Sequence, residues 1–390
     1  MIKKLFKHYD YSIIIAMALL IAFGLVMIYS SSMAVTVMKF DPPRPSHYFF
    51  MKQLQWLAVG TIAFLFAMIL PYKIYERFMK MILLASLFLL VLVLMTGSVY
   101  NYSQRWISIG GFTLQPSEIA KIGLIIYLAA IFSRKQVYIS DFRRAVLPPL
   151  IIIVVVFFLV AKQPDLGTAV IILGVSGVMI VCSGMKAKHL YSLIGLCFVA
   201  VSIIVLTLPV LLTDEQLSRI TGAYDPFADP EDSGHQLIQS YVAIASGGII
   251  GRGLGNSIQK YGFLPEPYTD FIMAIVIEEL GLFGTLFVIG LLGFIVFKGF
   301  MIGIRSQDTF GSLLAIGISS LIAIQSFVNL GAISGLLPIT GAPLPFISYG
   351  GTFLVLLMFS MGILVNISAF VNMKRRQPQS SKMDLHTKMV

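Results

Sequence analysis

Charge is what this chain has least of: Asp, Glu, Lys and Arg make up 12% of its 390 residues, against 57% hydrophobic residues. At a mean hydropathy of +0.90 there is too little polar side chain to coat a soluble globule of this size, so lipid must be the solvent. Cysteine is scarce as well. Cys182 and Cys197 both lie in apolar blocks, which excludes a disulfide framework or a thiolate metal site and leaves two small buried hydrophobes. The five histidines are scattered, so neither a His/Cys ligand set nor a Ser/His/Asp arrangement stands out. No internal repeat is visible, and an inverted-repeat transporter gains no direct support.

What is present is a succession of apolar blocks of about 20 residues, the length needed to cross roughly 30 Å of hydrocarbon as helix. The spans fall near 11–32, 53–70, 80–96, 118–132, 147–161, 166–183, 190–212, 271–297, 310–333 and 350–372. This is an all-α, polytopic membrane protein of about ten transmembrane helices. The first block follows Lys3, Lys4 and Lys7 as a signal peptide would, but it is long and lacks a clear cleavage site, so it is retained. With the N-terminus cytoplasmic, alternate connections hold nineteen of the 28 basic residues, which the positive-inside rule requires. Both termini are then cytoplasmic, and a large outer loop joins helices 7 and 8. Residues 1–372 form one membrane domain, and 373–390 read as a basic, disordered cytoplasmic tail. The net charge of +10 reports topology and attraction to anionic lipid, not a nucleic-acid partner.

Eleven of the eighteen acidic residues fall in the outer connections, so the outer face is where chemistry was concentrated. In Leu264-Pro-Glu-Pro-Tyr-Thr-Asp270, Thr269 can cap a helix beginning at Asp270, whose carboxylate then sits at the positive helix end. Asp270 either complements that dipole or serves as an ionised acceptor at the membrane surface. Glu278 and Glu279 lie within the apolar block that follows, where an acid is costly; they are either functional or a buried hydrogen-bonded pair between helices. Glu278 lies about 12 Å deeper than Asp270 and Glu279 faces away, so no paired-carboxylate hydrolase is built. Arg105, Trp106 and Glu118 occupy an outer loop running into a span; Trp106 is an interfacial belt residue or a platform beside a cation. Lys162 stands beside Gln163-Pro-Asp-Leu-Gly-Thr168 and either snorkels or lines a wet cavity. Gly247 to Gly255 resembles a phosphate cradle only weakly, and without a Walker pattern no nucleotide is used; Arg252 and Lys260 flank it and could hold a lipid-linked diphosphate. Pro343 to Gly351 makes a sharp bend that offers the hydroxyls of Ser348 and Tyr349.

Taken together, RWI…QPSE at 105–118, QPDLGT at 163–168, LPEPYTDFIMA…EELG at 264–281 and PLPFISYGG at 343–351 closely resemble the SEDS family, whose members include FtsW, RodA and SpoVE. The likeness runs from the first span to the last. YSSS at 29–32 and KYGFLPEPYTDF look most like the FtsW and SpoVE branch of Gram-positive bacteria. The resemblance implies a peptidoglycan glycosyltransferase that polymerises lipid II on the outer leaflet, with a class B penicillin-binding protein and other divisome membrane proteins as partners, at the septum during division. A RodA- or SpoVE-type paralogue serving elongation or sporulation, a lipid II flippase and a recruiting scaffold are the alternatives. The family's essential aspartate matches Asp270 and an outer-loop tryptophan matches Trp106; Tyr268 stands where the common pattern has His, and Met273 and Ile277 also depart from it. In such a reaction Asp270 would orient or deprotonate the acceptor hydroxyl. Arg252, Lys260 or Lys162, with or without Mg2+ or Mn2+ at a site the sequence does not name, would neutralise the departing diphosphate.

Overall fold

A backbone in hydrocarbon must satisfy its own N–H and C=O groups, so each apolar block folds as a helix. The computed structural model describes residues 5–38, 40, 42–100, 103–109, 112–192, 195, 222, 224–231 and 234–387. In chain order its elements are α1 Tyr11–Met38, α2 Tyr48–Ile69, the short α3 Lys73–Arg77, α4 Met79–Thr96, β1 Ser98–Tyr100, β2 Ser103–Ile109, β3 Phe112–Leu114 and α5 Pro116–Arg134. A π turn at Phe142–Val146 leads into α6 Leu147–Ala161, followed by α7 Leu166–Cys182, α8 His235–Gly247, α9 Ile272–Arg305, α10 Thr309–Ile333 and α11 Gly351–Thr387.

Among the described residues, 8 helices are long and apolar enough to cross a membrane, and α7 is a shorter apolar one. They account for every expected span except that near 190–212, which lies almost wholly outside the described residues. Two details differ from expectation. The outer connection after α4 folds into an antiparallel meander, β1-β2-β3, with Ser98 opposite Trp106 and Ile107 opposite Leu114. Cys182 is exposed rather than buried. The last helix has the bounds Gly351–Thr387.

Helices α5, α10 and α11 are mostly buried and form the interior, whereas α2, α4 and α9 turn most of their side chains outward. The inner end is tied by polar contacts between distant segments. Asn366 on α11 accepts from Tyr72 N at 3.0 Å and donates to Met68 O at 2.7 Å; Tyr9 Oη donates to the same carbonyl at 3.0 Å. Lys298 on α9 pairs with Asp10 at 3.2 Å. Together with the charge bias, these contacts place both chain ends on the cytoplasmic side.

At 1.5 Å per residue the 34 residues of α9 would extend about 51 Å, well beyond a hydrocarbon core of roughly 30 Å. The helix is in fact broken at Gly281, whose φ of 60° and ψ of −145° are not helical. Strap residues following α8 cross the break: Arg252 N and Gly253 N donate to Glu278 O and Glu279 O, both at 2.9 Å, and Leu282 N donates to Ile249 O at 3.0 Å. Only glycine permits so close a crossing, since a Cβ on Gly281 would lie 2.4 Å from Ile249 O and one on Gly251 2.4 Å from Glu279 O. Gly281→Ala is therefore expected to cost about 1–3 kcal/mol and lower the thermal midpoint of the detergent-solubilised protein. A midpoint equal to wild type would contradict the crossing.

Candidate functional site at the outer end of the bundle

The four motifs separated in sequence converge at the outer end. Asp165 caps α7 by accepting from Thr168 N at 3.2 Å, and its carboxylate is 3.7 Å from Arg105 of β2. Arg105 also donates to the carbonyls of Gln163 and Pro164. Glu118, in the first turn of α5, forms a buried ion pair with Lys121 at 2.8 Å. Lys121 extends the chain to Gln325 Oε1 at 2.9 Å, and Gln325 Nε2 donates to Pro343 O at 3.1 Å. Thr352 Oγ1 donates to Thr113 O at 2.6 Å, tying the start of α11 to the meander.

Asp270 lies where these contacts meet. Asn329 of α10 donates to Asp270 O at 2.7 Å and to Ala342 O at 2.8 Å, and Tyr349 N donates to Tyr268 O at 2.9 Å, so the loop from 334 to 350 is fastened to the stretch carrying the aspartate. A Cβ on Gly341 would lie 3.9 Å from Asp270 Oδ2, and one on Gly167 would meet Thr340 at 2.6 Å. The helix begins at Ile272 rather than at Asp270, and Thr269 does not cap it: its hydroxyl bonds Glu266 O at 2.9 Å and Asp270 Oδ1 at 3.0 Å. Asp270 is half-buried. Burial pushes its carboxyl up to about 6, the Thr269 hydroxyl and its own and Phe271's backbone N–H groups oppose, and the nearby Glu266 charge raises it further. The helix end expected to hold it firmly ionised is thus outweighed by desolvation, and the group titrates near neutrality.

Glu278 reaches the strap, and Glu279 bonds both the strap and helix α1. Glu278 accepts from Ile258 N at 2.9 Å, Gln259 N at 3.4 Å and the Ser257 hydroxyl. Glu279 accepts from Ser30 Oγ at 2.7 Å and pairs with Lys260 at 2.9 Å. Lys260 is fully buried and also bonds Gly255 O at 2.5 Å, so its ammonium neutralises Glu279 instead of facing a diphosphate. Arg252 and Lys162, by contrast, are exposed cations. Ser348 holds its own turn, accepting from Leu344 N at 2.8 Å. Tyr349 joins an aromatic group with Phe49 and Tyr268, whose rings stack 4.2 Å apart. Trp106 is half-buried on β2. Among the described residues no three His, Cys, Asp or Glu side chains come together to hold a metal ion.

Residues 10–373 match the model of the family described as cell cycle protein, FtsW/RodA/SpoVE. The chain belongs to this family. A probable peptidoglycan glycosyltransferase FtsW of Bacillus subtilis is 51% identical over 98% of this chain and 97% of its own length, and stage V sporulation protein E of the same organism is 41% identical over 93% and 97%. Of solved structures, a chain of a peptidoglycan synthase complex superposes with a TM-score of 0.75 at 25% identity, covering 93% of this chain and 98% of its own. RodA of Thermus thermophilus superposes with a TM-score of 0.66 at 23% identity, over 92% and 96%.

Two groups of the site in this SEDS chain escape the sequence reading. Asn329 and Gln325 are polar residues four apart in an apolar block, a signal that intramembrane polarity alone could have raised. Arg44 and Lys52 stand over the Tyr48 ring at 4.5 and 5.1 Å, next to Phe49 and hence to Tyr268; nothing in their spacing separates them from ordinary interfacial cations. Glu279→Gln strands the buried Lys260 charge and is expected to destabilise the solubilised protein by about 3–5 kcal/mol, while Glu279→Leu with Lys260→Met recovers most of it in the same thermal assay. A double variant as unstable as Glu279→Gln would contradict a pair that acts only by mutual neutralisation.

Proposed function

We propose that this chain is a peptidoglycan glycosyltransferase that polymerises lipid II on the outer face of the cytoplasmic membrane, with Asp270 as general base. One observation carries the reading. Of the carboxylates gathered at the outer end, Asp165, Glu118 and Glu279 are each tied to a cation and Glu278 is buried among strap donors, whereas Asp270 is half-buried, held by neutral groups and raised to about 6. A base near the working pH is what proton removal from a sugar 4-hydroxyl requires. That oxygen attacks the anomeric carbon, the bond to the diphosphate breaks, Asp270 takes the proton and undecaprenyl diphosphate leaves with both bonding electrons. Lys162 and Arg252, the exposed cations of the original set, suit the departing charge better than the sequestered Lys260. A divalent cation brought in with the diphosphate would share that charge.

The name of the B. subtilis relative supports the division-type activity, and the solved synthase complex supports a class B penicillin-binding protein as transpeptidase partner; in this reading the pair acts at the septum with other divisome proteins. A flippase path past Glu278, Glu279 and Lys162 is disfavoured, because Glu278 and Glu279 are buried and bonded to the strap, leaving only Lys162 of the three exposed.

The test is polymerisation of lipid II by the purified protein with its transpeptidase partner. Asp270→Ala is expected to abolish glycan strands without unfolding the protein; undiminished polymer would contradict the proposal. The acid limb of the rate should inflect near 6, since the base works only when ionised, rather than near the ordinary carboxyl value of 3.8. Because its carboxyl is raised in the fold, Asp270 costs stability as pH rises through that window, so Asp270→Asn should be as stable as wild type at pH 8, or more so by about 1–2 kcal/mol. A variant markedly less stable at pH 8 would contradict the shift.

A further inference from the structure

The cytoplasmic end holds a cleft that the outer chemistry does not use. Its volume is about 630 Å³, and it lies between the start of α3, the α9–α10 turn and residues 370–375 of α11. Four cations line it: Lys73, Arg305, Lys374 and Arg375. All four are exposed, and among the described residues none has an ion-pair partner. The one carboxylate in the lining, Asp308, is already engaged as the cap of α10, accepting from Gly311 N and Tyr72 Oη, both at 3.0 Å. The lining is thus electropositive, four cations against the single carboxylate of Asp308.

The cleft is also preformed. Tyr72 is buried, stacks on Phe310 at 6.1 Å and meets Phe370 edge-on at 5.3 Å, while Asn366 fixes its backbone N–H. Part of its wall is apolar: Phe370 and Val371 line it, and Ile304, next to Arg305 in sequence, is 69% exposed. Cations at the depth where helices leave hydrocarbon, next to an apolar wall, match a ligand that joins phosphate to acyl chains. A soluble phosphate ester would satisfy only the first feature.

We propose that this cleft is a binding site for the headgroup of an anionic phospholipid, best filled by one with two phosphodiesters. Two arginines can each hold a phosphate oxygen pair and two lysines supply point charge, against one carboxylate already spent on a helix cap. The site would fix the inner ends of α9, α10 and α11, the three helices that also carry Asp270's surroundings at their outer ends.

The experiment is native mass spectrometry of the full-length protein, delipidated in neutral detergent and then supplied separately with cardiolipin, phosphatidylglycerol, phosphatidylcholine or inorganic phosphate. Wild type is expected to retain one cardiolipin most tightly, phosphatidylglycerol less, and neither of the others. The variant with Lys73, Arg305, Lys374 and Arg375 all changed to Gln should bind cardiolipin at least about tenfold more weakly. Lys186→Gln with Lys188→Gln, exposed on the same side but away from the cleft, should bind as wild type. Equal retention by the fourfold variant, or an equal loss in the Lys186/Lys188 control, overturns a specific site. Inorganic phosphate binding that displaces the lipid overturns the lipid assignment in favour of a soluble anion. Should the fourfold variant fail to fold, Arg305→Gln alone is expected to lose about threefold, and no loss there counts against the proposal.

Discussion

The structure depends on one constraint: backbone that leaves a helix within a membrane has to find its hydrogen bonds inside the protein. Here the strap after α8 dips to meet the break in α9, and each supplies what the other lacks. Strap N–H groups donate to the carbonyls of Glu278 and Glu279, a strap carbonyl receives Leu282 N, and the two carboxylates accept from Ser257, Ile258 and Gln259. The first turns of α9 and the stretch from Leu264 to Asp270 are consequently held as one body with the strap. An aspartate on a free loop could not be placed to within hydrogen-bonding tolerance of a substrate hydroxyl; one on this braced corner can.

Charge is distributed to the same end. Three buried carboxylates are neutralised by cations, Asp165 by Arg105 and Glu279 by Lys260 across segments and Glu118 by Lys121 within α5, while Glu278 is held by the strap's Ser257, Ile258 and Gln259. Asp270 receives no cation, and its surroundings tune it instead of fixing it. A cation beside it would lower its basicity, and complete burial would leave it protonated.

Much of this was legible from residues alone. Periodic apolar blocks gave the helices, and the bias of lysine and arginine gave their orientation, because both follow directly from the cost of polar groups in lipid. Asp270 could be singled out as a surface acid next to a helix start, although the residues predicted ionisation by the helix end and could not weigh the desolvation that tertiary packing imposes. Lys260 illustrates the same limit: its partner Glu279 is nineteen residues away and Ser30 lies in another helix, so a lysine that reads as a diphosphate ligand is spent on structure. The meander at 98–114 was hidden because its strands are short and its turns carry no strong pairing signal beyond a Gly-Gly. The glycines of the strap looked like a weak phosphate cradle, whereas they serve the close crossing at Gly281.

The central claim is that these motifs build one site whose unpaired carboxylate is reached from outside the cell. Replacing Cys182 and Cys197 by Ala, placing a single cysteine at Glu266 and treating intact cells, their outer surface exposed, with a membrane-impermeant maleimide tests this most directly. The account predicts labelling without permeabilisation, while a cysteine placed at Arg305 is labelled only after it. The opposite pattern would put Asp270 on the cytoplasmic side and contradict the account.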